Sequence, residues 1–166
     1  ADDWSADGRF LLYRDTDQQT QEDLWVLPMT GDKKPEAVVR SPFRDVQGRF
    51  SPDGRWLAYV SNESGGNQVY VQGFPTANNR VQISTDGGYQ PRWRRDGKEL
   101  FFMSGINGQA TAVDVTVSPD GKLKAGLPRK LFPISPITIT TNRNSWEVTP
   151  DGQRFLILFS SRRRHT

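Results

Sequence analysis

One short pattern returns four times along the chain, and nothing else in the sequence constrains the fold as strongly. It reads Trp4-Ser5-Ala6-Asp7-Gly8-Arg9-Phe10, Phe50-Ser51-Pro52-Asp53-Gly54-Arg55-Trp56, Trp93-Arg94-Arg95-Asp96-Gly97-Lys98-Glu99-Leu100 and Val148-Thr149-Pro150-Asp151-Gly152-Gln153-Arg154-Phe155. The four glycines stand 46, 43 and 55 residues apart. In Ser51-Pro52-Asp53-Gly54 the proline presets φ, the aspartate can accept a backbone N–H, and the glycine takes the positive φ that a Cβ resists, which makes a β-turn between two strands.

Each turn is followed by a short apolar run: Phe10–Tyr13, Trp56–Val60, Leu100–Met103 and Phe155–Phe159. Runs that are apolar on both faces fit strands sandwiched between neighbouring sheets. A second strand follows a polar loop in each full unit, at Leu24–Leu27, Gln68–Val71 and Ala112–Val115. A weaker fourth strand precedes the next turn, at Ala37–Val39, Val81–Ile83 and Lys130–Phe132. An additional Ser118-Pro119-Asp120-Gly121 fits no full period and reads as a hairpin inside the long third unit. No segment sustains helical periodicity between its glycines and prolines.

A period near 43 residues with four strands per unit is the signature of a β-propeller blade. The expected fold is therefore all-β: a partial β-propeller of four-stranded antiparallel blades, about three and a half of them. Their expected bounds are roughly 1–40, 41–84, 85–133 and an incomplete 134–159. Closed propellers contain four to eight blades, so this count reads as a piece of a larger ring.

The motif resembles the TolB-like, or WD-like, propeller repeat, whose blades carry W-S-P-D-G-K/R-x-L-A-Y/F followed by an I/V-Y-V strand. Phe50–Tyr59 with Val69-Tyr70-Val71 matches it best, and Pro91–Phe102 is second. Two departures are Ala6 in place of proline and Arg94-Arg95 in place of Ser-Pro. More narrowly, the wording resembles the C-terminal propeller region of bacterial membrane-tethered serine/threonine kinases. That resemblance implies a non-catalytic sensing or binding module with a protein or peptide partner, in an extracytoplasmic or periplasmic setting. The same repeat occurs in the gating propeller of prolyl-oligopeptidase-like serine peptidases, which is the alternative reading.

The residues themselves exclude much chemistry. There is no cysteine, and the sole histidine, His165, falls in the segment 160–166, which reads as a non-native or disordered tail. A Ser-His-Asp triad is therefore not expected in the body of the chain. No phosphate loop, nucleophile elbow or metal-binding helix motif is present, and no cofactor or metal is expected. The net charge of +3 comes from Arg162, Arg163 and Arg164, so no nucleic-acid face is expected. No apolar stretch is long enough to span a membrane.

Three clusters remain as candidates. Asp15, Asp17, Glu22 and Asp23 surround the first hairpin and could offer oxygens to Ca²⁺, although a solvated loop is the preferred reading. The turn aspartates Asp7, Asp53, Asp96 and Asp151 could in principle pair for glycoside hydrolysis, but their recurrence at one turn position points to a structural role. Arg92, Arg94, Arg95 and Lys98 around Trp93 form the densest basic patch. The preferred reading packs Trp93 between blades with solvated arginines beside it. The sharper one makes Arg92 and Arg94 the ligand-binding residues of an anion site at a channel mouth.

Overall fold

The computed structural model describes residues 1–105, 108–134 and 144–158. Phe159 of the last apolar run, the tail 160–166 and His165 lie outside these residues.

Among the described residues fifteen strands are laid down in chain order, and each described blade is a meander in which consecutive strands pair antiparallel. The first blade joins β1 (Asp3–Trp4), β2 (Phe10–Asp17), β3 (Gln21–Pro28) and β4 (Glu36–Val39). The second joins β5 (Asp45–Phe50), β6 (Trp56–Ser61), β7 (Gln68–Gly73) and β8 (Val81–Gln82). The third begins with β9 (Tyr89–Trp93), β10 (Glu99–Ser104) and β11 (Gln109–Val117). A fourth sheet holds β14 (Trp146–Val148) and β15 (Phe155–Ile157). The chain is thus all-β, with unclosed antiparallel blades, as the repeat predicts.

The long third unit has a local cause. Strand β11 is nine residues long and has two partners on the same flank: β12 (Leu123–Ala125) pairs Val115–Val117, and β13 (Arg129–Pro133) pairs Gln109–Ala112. The Ser118–Gly121 turn makes the β11–β12 hairpin. The inserted hairpin lengthens the unit without adding a blade.

The apolar core is divided among the spaces between blades, and the two-residue period of a strand decides which space each residue enters. From β6, Leu57 and Tyr59 join Leu12, Leu24 and Val26 of the first blade. Its alternate residues Trp56, Ala58 and Val60 join Leu100, Phe102 and Val113 of the third. Strand β10 repeats the scheme, with Phe101 and Met103 facing Trp146 of the fourth sheet. All six residues of β6 and of β10 are buried. This is why Trp56–Val60 and Leu100–Met103 are apolar without a break instead of alternating.

Candidate functional site

The turn motif is a self-contained hydrogen-bond unit. In the second blade the Ser51 hydroxyl donates to Asp53 Oδ1 at 2.6 Å, the Arg55 N–H donates to the same oxygen at 3.1 Å, and Arg55 Nε donates to Oδ2 at 2.7 Å. The Ser51 oxygen in turn accepts from the Trp56 N–H at 2.9 Å, while Gly54, at φ 68°, donates its N–H to the Ser51 carbonyl. Ser5, Asp7 and Arg9 repeat every one of these contacts in the first blade. In the fourth sheet Thr149 takes the place of serine. In the third the serine is absent, and the Arg94 guanidinium supplies two bonds to Asp96 instead.

These bonds set the carboxylate acidities. The Arg9 N–H, the Ser5 hydroxyl and the Arg9 guanidinium lower Asp7 to about 2. Arg94 and the Lys98 N–H lower Asp96, and Thr149 and the Gln153 N–H lower Asp151. At Asp53 burial opposes the shift, but hydrogen bonds from Ser51 and Arg55 outweigh it and the pKa falls. Carboxylates with pKa values lowered by hydrogen bonds from their own turns suit neither a general acid nor a base near neutral pH.

Counting back from each turn glycine exposes two columns on the first strand of each blade. Five residues before the glycine stand Asp3, Arg49, Arg92 and Glu147. Arg92 is only 3% exposed and donates Nε to Glu147 at 3.1 Å, Nη1 to the Pro91 carbonyl and Nη2 to the Trp146 carbonyl. Burial, then the neighbouring Arg49 charge, pull its pKa down to about 10. Arg49 lies 4.0 Å from Asp3, whose own pKa burial raises.

Seven residues before the glycine stand Gln47, Gln90 and Ser145. Gln47 Oε1 accepts the Gln90 N–H and Gln90 Oε1 accepts the Ser145 N–H, each at 2.8 Å, so one blade is tied to the next. Both glutamines have positive φ, 58° and 51°, a conformation uncommon outside glycine that is held here by these bonds and by irregular strand register. No glycine or turn signal marks them. Their recurrence at a fixed distance from the turn was the available clue.

The sequence-predicted basic patch is therefore divided. Arg92 is spent between the third blade and fourth sheet, whereas Arg94 lies in the turn, bonded to Asp96 and at 2.8 Å to Glu99. The structure does not bring the two together on shared partners. Trp93 packs against the core between the second and third blades, with Nε1 donating to the Arg49 carbonyl at 3.3 Å. The expectation of solvated arginines beside it holds for exposed Arg95 and fails for Arg92, whose charge is compensated across the blade boundary.

The acidic cluster needs a similar correction. Asp15, Asp17, Glu22 and Asp23 lie on the paired strands β2 and β3 and not in a loop, and Asp23 is buried, with Thr20 donating to it. Glu22 is paired with Arg14 and Arg44. Among the described residues no group of three or more His, Asp or Glu could hold a metal ion, and no helix is long and apolar enough to cross a membrane.

A concavity of about 630 Å³ opens between the second and third blades. Its lining includes Asp53, Arg55 and Trp56 from one side and Arg94, Asp96, Lys98 and Asp114 from the other. A hollow of about 300 Å³ adjoins it through Arg55, Trp56 and Val117. The volume falls within the range of small-ligand sites.

No family model matches the sequence. A curated relative, the Tol-Pal system protein TolB of Xylella fastidiosa strain M12, is 40% identical over 53 residues, which is 32% of this chain and 12% of that protein. Among solved structures, one described as TolB from Agrobacterium tumefaciens superposes with a TM-score of 0.66 at 20% identity, covering 80% of this chain and 48% of its own. A puromycin-hydrolyzing peptidase from Mycobacterium tuberculosis gives a TM-score of 0.54 at 15% identity, covering 75% of this chain and 22% of that one. The chain spans less than half the length of each of these proteins. What the likenesses establish is the fold: this chain is an unclosed run of antiparallel β-propeller blades, similar in architecture to TolB.

Proposed function

We propose that the chain is a non-catalytic propeller module that binds a protein or peptide partner outside the cytoplasm. The carrying observation is where its polar side chains are spent. The repeated aspartates accept hydrogen bonds from their own turns, and Gln47, Gln90 and Arg92 are committed to contacts between blades. Such a frame supports loops and clefts for recognition instead of poising an acid and a base. Likeness to TolB, named for the Tol-Pal system, supports the interaction role and the compartment.

Within that reading, the sensor part of a bacterial receptor-type serine/threonine kinase is the finer assignment. The likeness to the Mycobacterium tuberculosis peptidase favours a second one, a propeller that gates a hydrolase. Sequencing the coding region on both sides of this chain separates them. A kinase followed by a membrane span upstream supports the sensor, and a hydrolase with its own Ser, Asp and His downstream overturns it in favour of the gate.

A further inference from the structure

The junction between the first and second blades buries charge that its counterpart one blade on does not. Nine residues before the turn glycine the second blade has Asp45 and the third has Gly88, and thirteen before it stand Ser41 and Ser84. Opposite the strand residue seven past the glycine lie Asp23 in the first blade and Gln68 in the second. Strand β3, which carries Asp23, packs on β5, which carries Asp45. The later junction is neutral at these positions: Ser84 donates to Gln68 Oε1 at 2.6 Å, and a Cβ on Gly88 would crowd the serine Oγ. In the earlier junction the serine is drawn to the added carboxylate, Ser41 donating to Asp45 Oδ2 at 2.6 Å. Asp23 thereby lacks the partner that Gln68 has, and its Oδ1 is buried with no hydrogen bond among the described residues. Both aspartates are only 1% exposed. A buried carboxylate oxygen left unpaired is costly, and a second carboxylate beside it adds repulsion.

Little positive charge reaches the pair. On the first-blade side Thr20 donates to Asp23 Oδ2, and the half-exposed Arg40 stands 3.8 Å from that oxygen while also pairing with Asp17. Asp15, directly across the strand pair from Asp23, is a further negative charge. Glu22 and Arg44, each next in sequence to one of the two aspartates, are paired with each other. On the second-blade side Ser61 donates to Asp45, and the Arg80 guanidinium is engaged at 2.6 Å by both Tyr59 Oη and Glu63. Burial pushes the Asp45 pKa up and the Asp23 charge adds to the rise, which the two serine hydroxyls and Arg80 only partly oppose.

We propose that this junction is an acid-tightened latch: at neutral pH Asp23 and Asp45 repel each other across the blade boundary, and protonation of Asp45 removes the repulsion and firms the hold of the second blade on the first. A carboxyl group whose folded pKa lies above its unfolded value costs nothing below about pH 4 and costs stability progressively as pH rises through the folded value. The latch goes beyond the interaction role and does not rest on it, since it acts between blades whatever the propeller binds.

The test follows the Asp45 carboxyl carbon by ¹³C NMR from about pH 3 to pH 8, in the parent chain and in Asp23→Asn, together with urea midpoints of the parent and Asp45→Asn over the same range. Asp45 should titrate above the ordinary aspartate value, and Asp23→Asn should bring its midpoint down towards that value. Asp45→Asn keeps an acceptor for Ser41 and carries no charge, so its urea midpoint should gain on the parent's as pH rises. Amides of β3 and β5 should exchange progressively faster through local opening as pH rises in the parent, after correction for intrinsic rates, and should lose that dependence in the variant. A role confined to packing would shift the midpoint equally at every pH. An ordinary Asp45 titration, an Asp45 midpoint unmoved by Asp23→Asn, or a pH-independent difference between Asp45→Asn and the parent would overturn the proposal, and the first two readings decide it even where Asp45→Asn fails to fold.

Discussion

The second blade and the fourth sheet are built on the same turn and differ in nearly everything around it. Thr149 and Asp151 reproduce the hydroxyl and backbone bonds of Ser51 and Asp53, with Gln153 in place of the Arg55 guanidinium. Yet every residue of β6 is buried, while Leu156 in the middle of β15 is 67% exposed. The second blade has a neighbour on each face, with Leu57 and Tyr59 in one interface and Trp56, Ala58 and Val60 in the other. Among the described residues the fourth sheet packs on one face only, through Trp146, Phe155 and Ile157. The turn is therefore a local property of sequence, whereas blade stability comes from neighbours, as in other quasi-one-dimensional repeats.

The sharpest way to break this contrast is to remove the same side chain from each place. Leu57→Ala opens a cavity between the first and second blades and should cost about 2–5 kcal/mol, read as a lowered urea midpoint. Leu156→Ala should stay within about 0.5 kcal/mol of the parent. Equal losses would show that the fourth sheet is as enclosed as the second blade.

A smaller effect is expected from adding a methyl group. A Cβ on Gly88 would lie 2.8 Å from both Cγ2 and the backbone N of Val69 and would crowd Ser84 Oγ, whereas one on Gly66 meets open space. Gly88→Ala should therefore destabilise by about 1–3 kcal/mol. Gly66→Ala should be near neutral by the same urea measurement.

The smallest effect concerns acid, and here the two regions should behave alike because they share the turn. Asp7, Asp53, Asp96 and Asp151 all have lowered pKa values, Asp7 to about 2. A carboxylate whose folded pKa lies below its unfolded value contributes stability that is complete above about pH 4 and is lost as pH falls through the folded value. Stability should decline between about pH 4 and pH 2, and Ser5→Ala, which removes a donor to Asp7 and so brings its folded pKa nearer the unfolded value, should make its share of the decline smaller. Asp3 and Asp45, raised chiefly by burial, act in the opposite sense and offset part of the loss. A urea midpoint independent of pH over this range would contradict the turn energetics.

Much of this organisation was legible in the residues, for physical reasons. Turn chemistry is local, so Asp-Gly pairs at near-constant spacing announced the blades, and doubly apolar runs announced their burial. Contacts between blades were not legible in the same way, because their partners lie about one blade apart in sequence. Arg92 reads as a solvent-facing cation until Glu147 and the Trp146 carbonyl are seen beside it. Gln47 and Gln90 read as ordinary polar strand residues until their positive φ and mutual bond are visible. That the Trp56 N–H finds no acceptor among the described residues is likewise not disclosed by residue types alone.

Native-state hydrogen exchange, resolved strand by strand, tests the central claim that neighbours and not turns hold the blades. The amides of Trp56–Ser61 and Glu99–Ser104, at the centre of blades covered on both faces, should be the most protected and exchange only through global unfolding. Those of Trp146–Val148 and Phe155–Ile157 should exchange much faster through local opening. Equal protection in all four segments would contradict the account and show that each turn-bearing hairpin is stabilised independently of what packs against it.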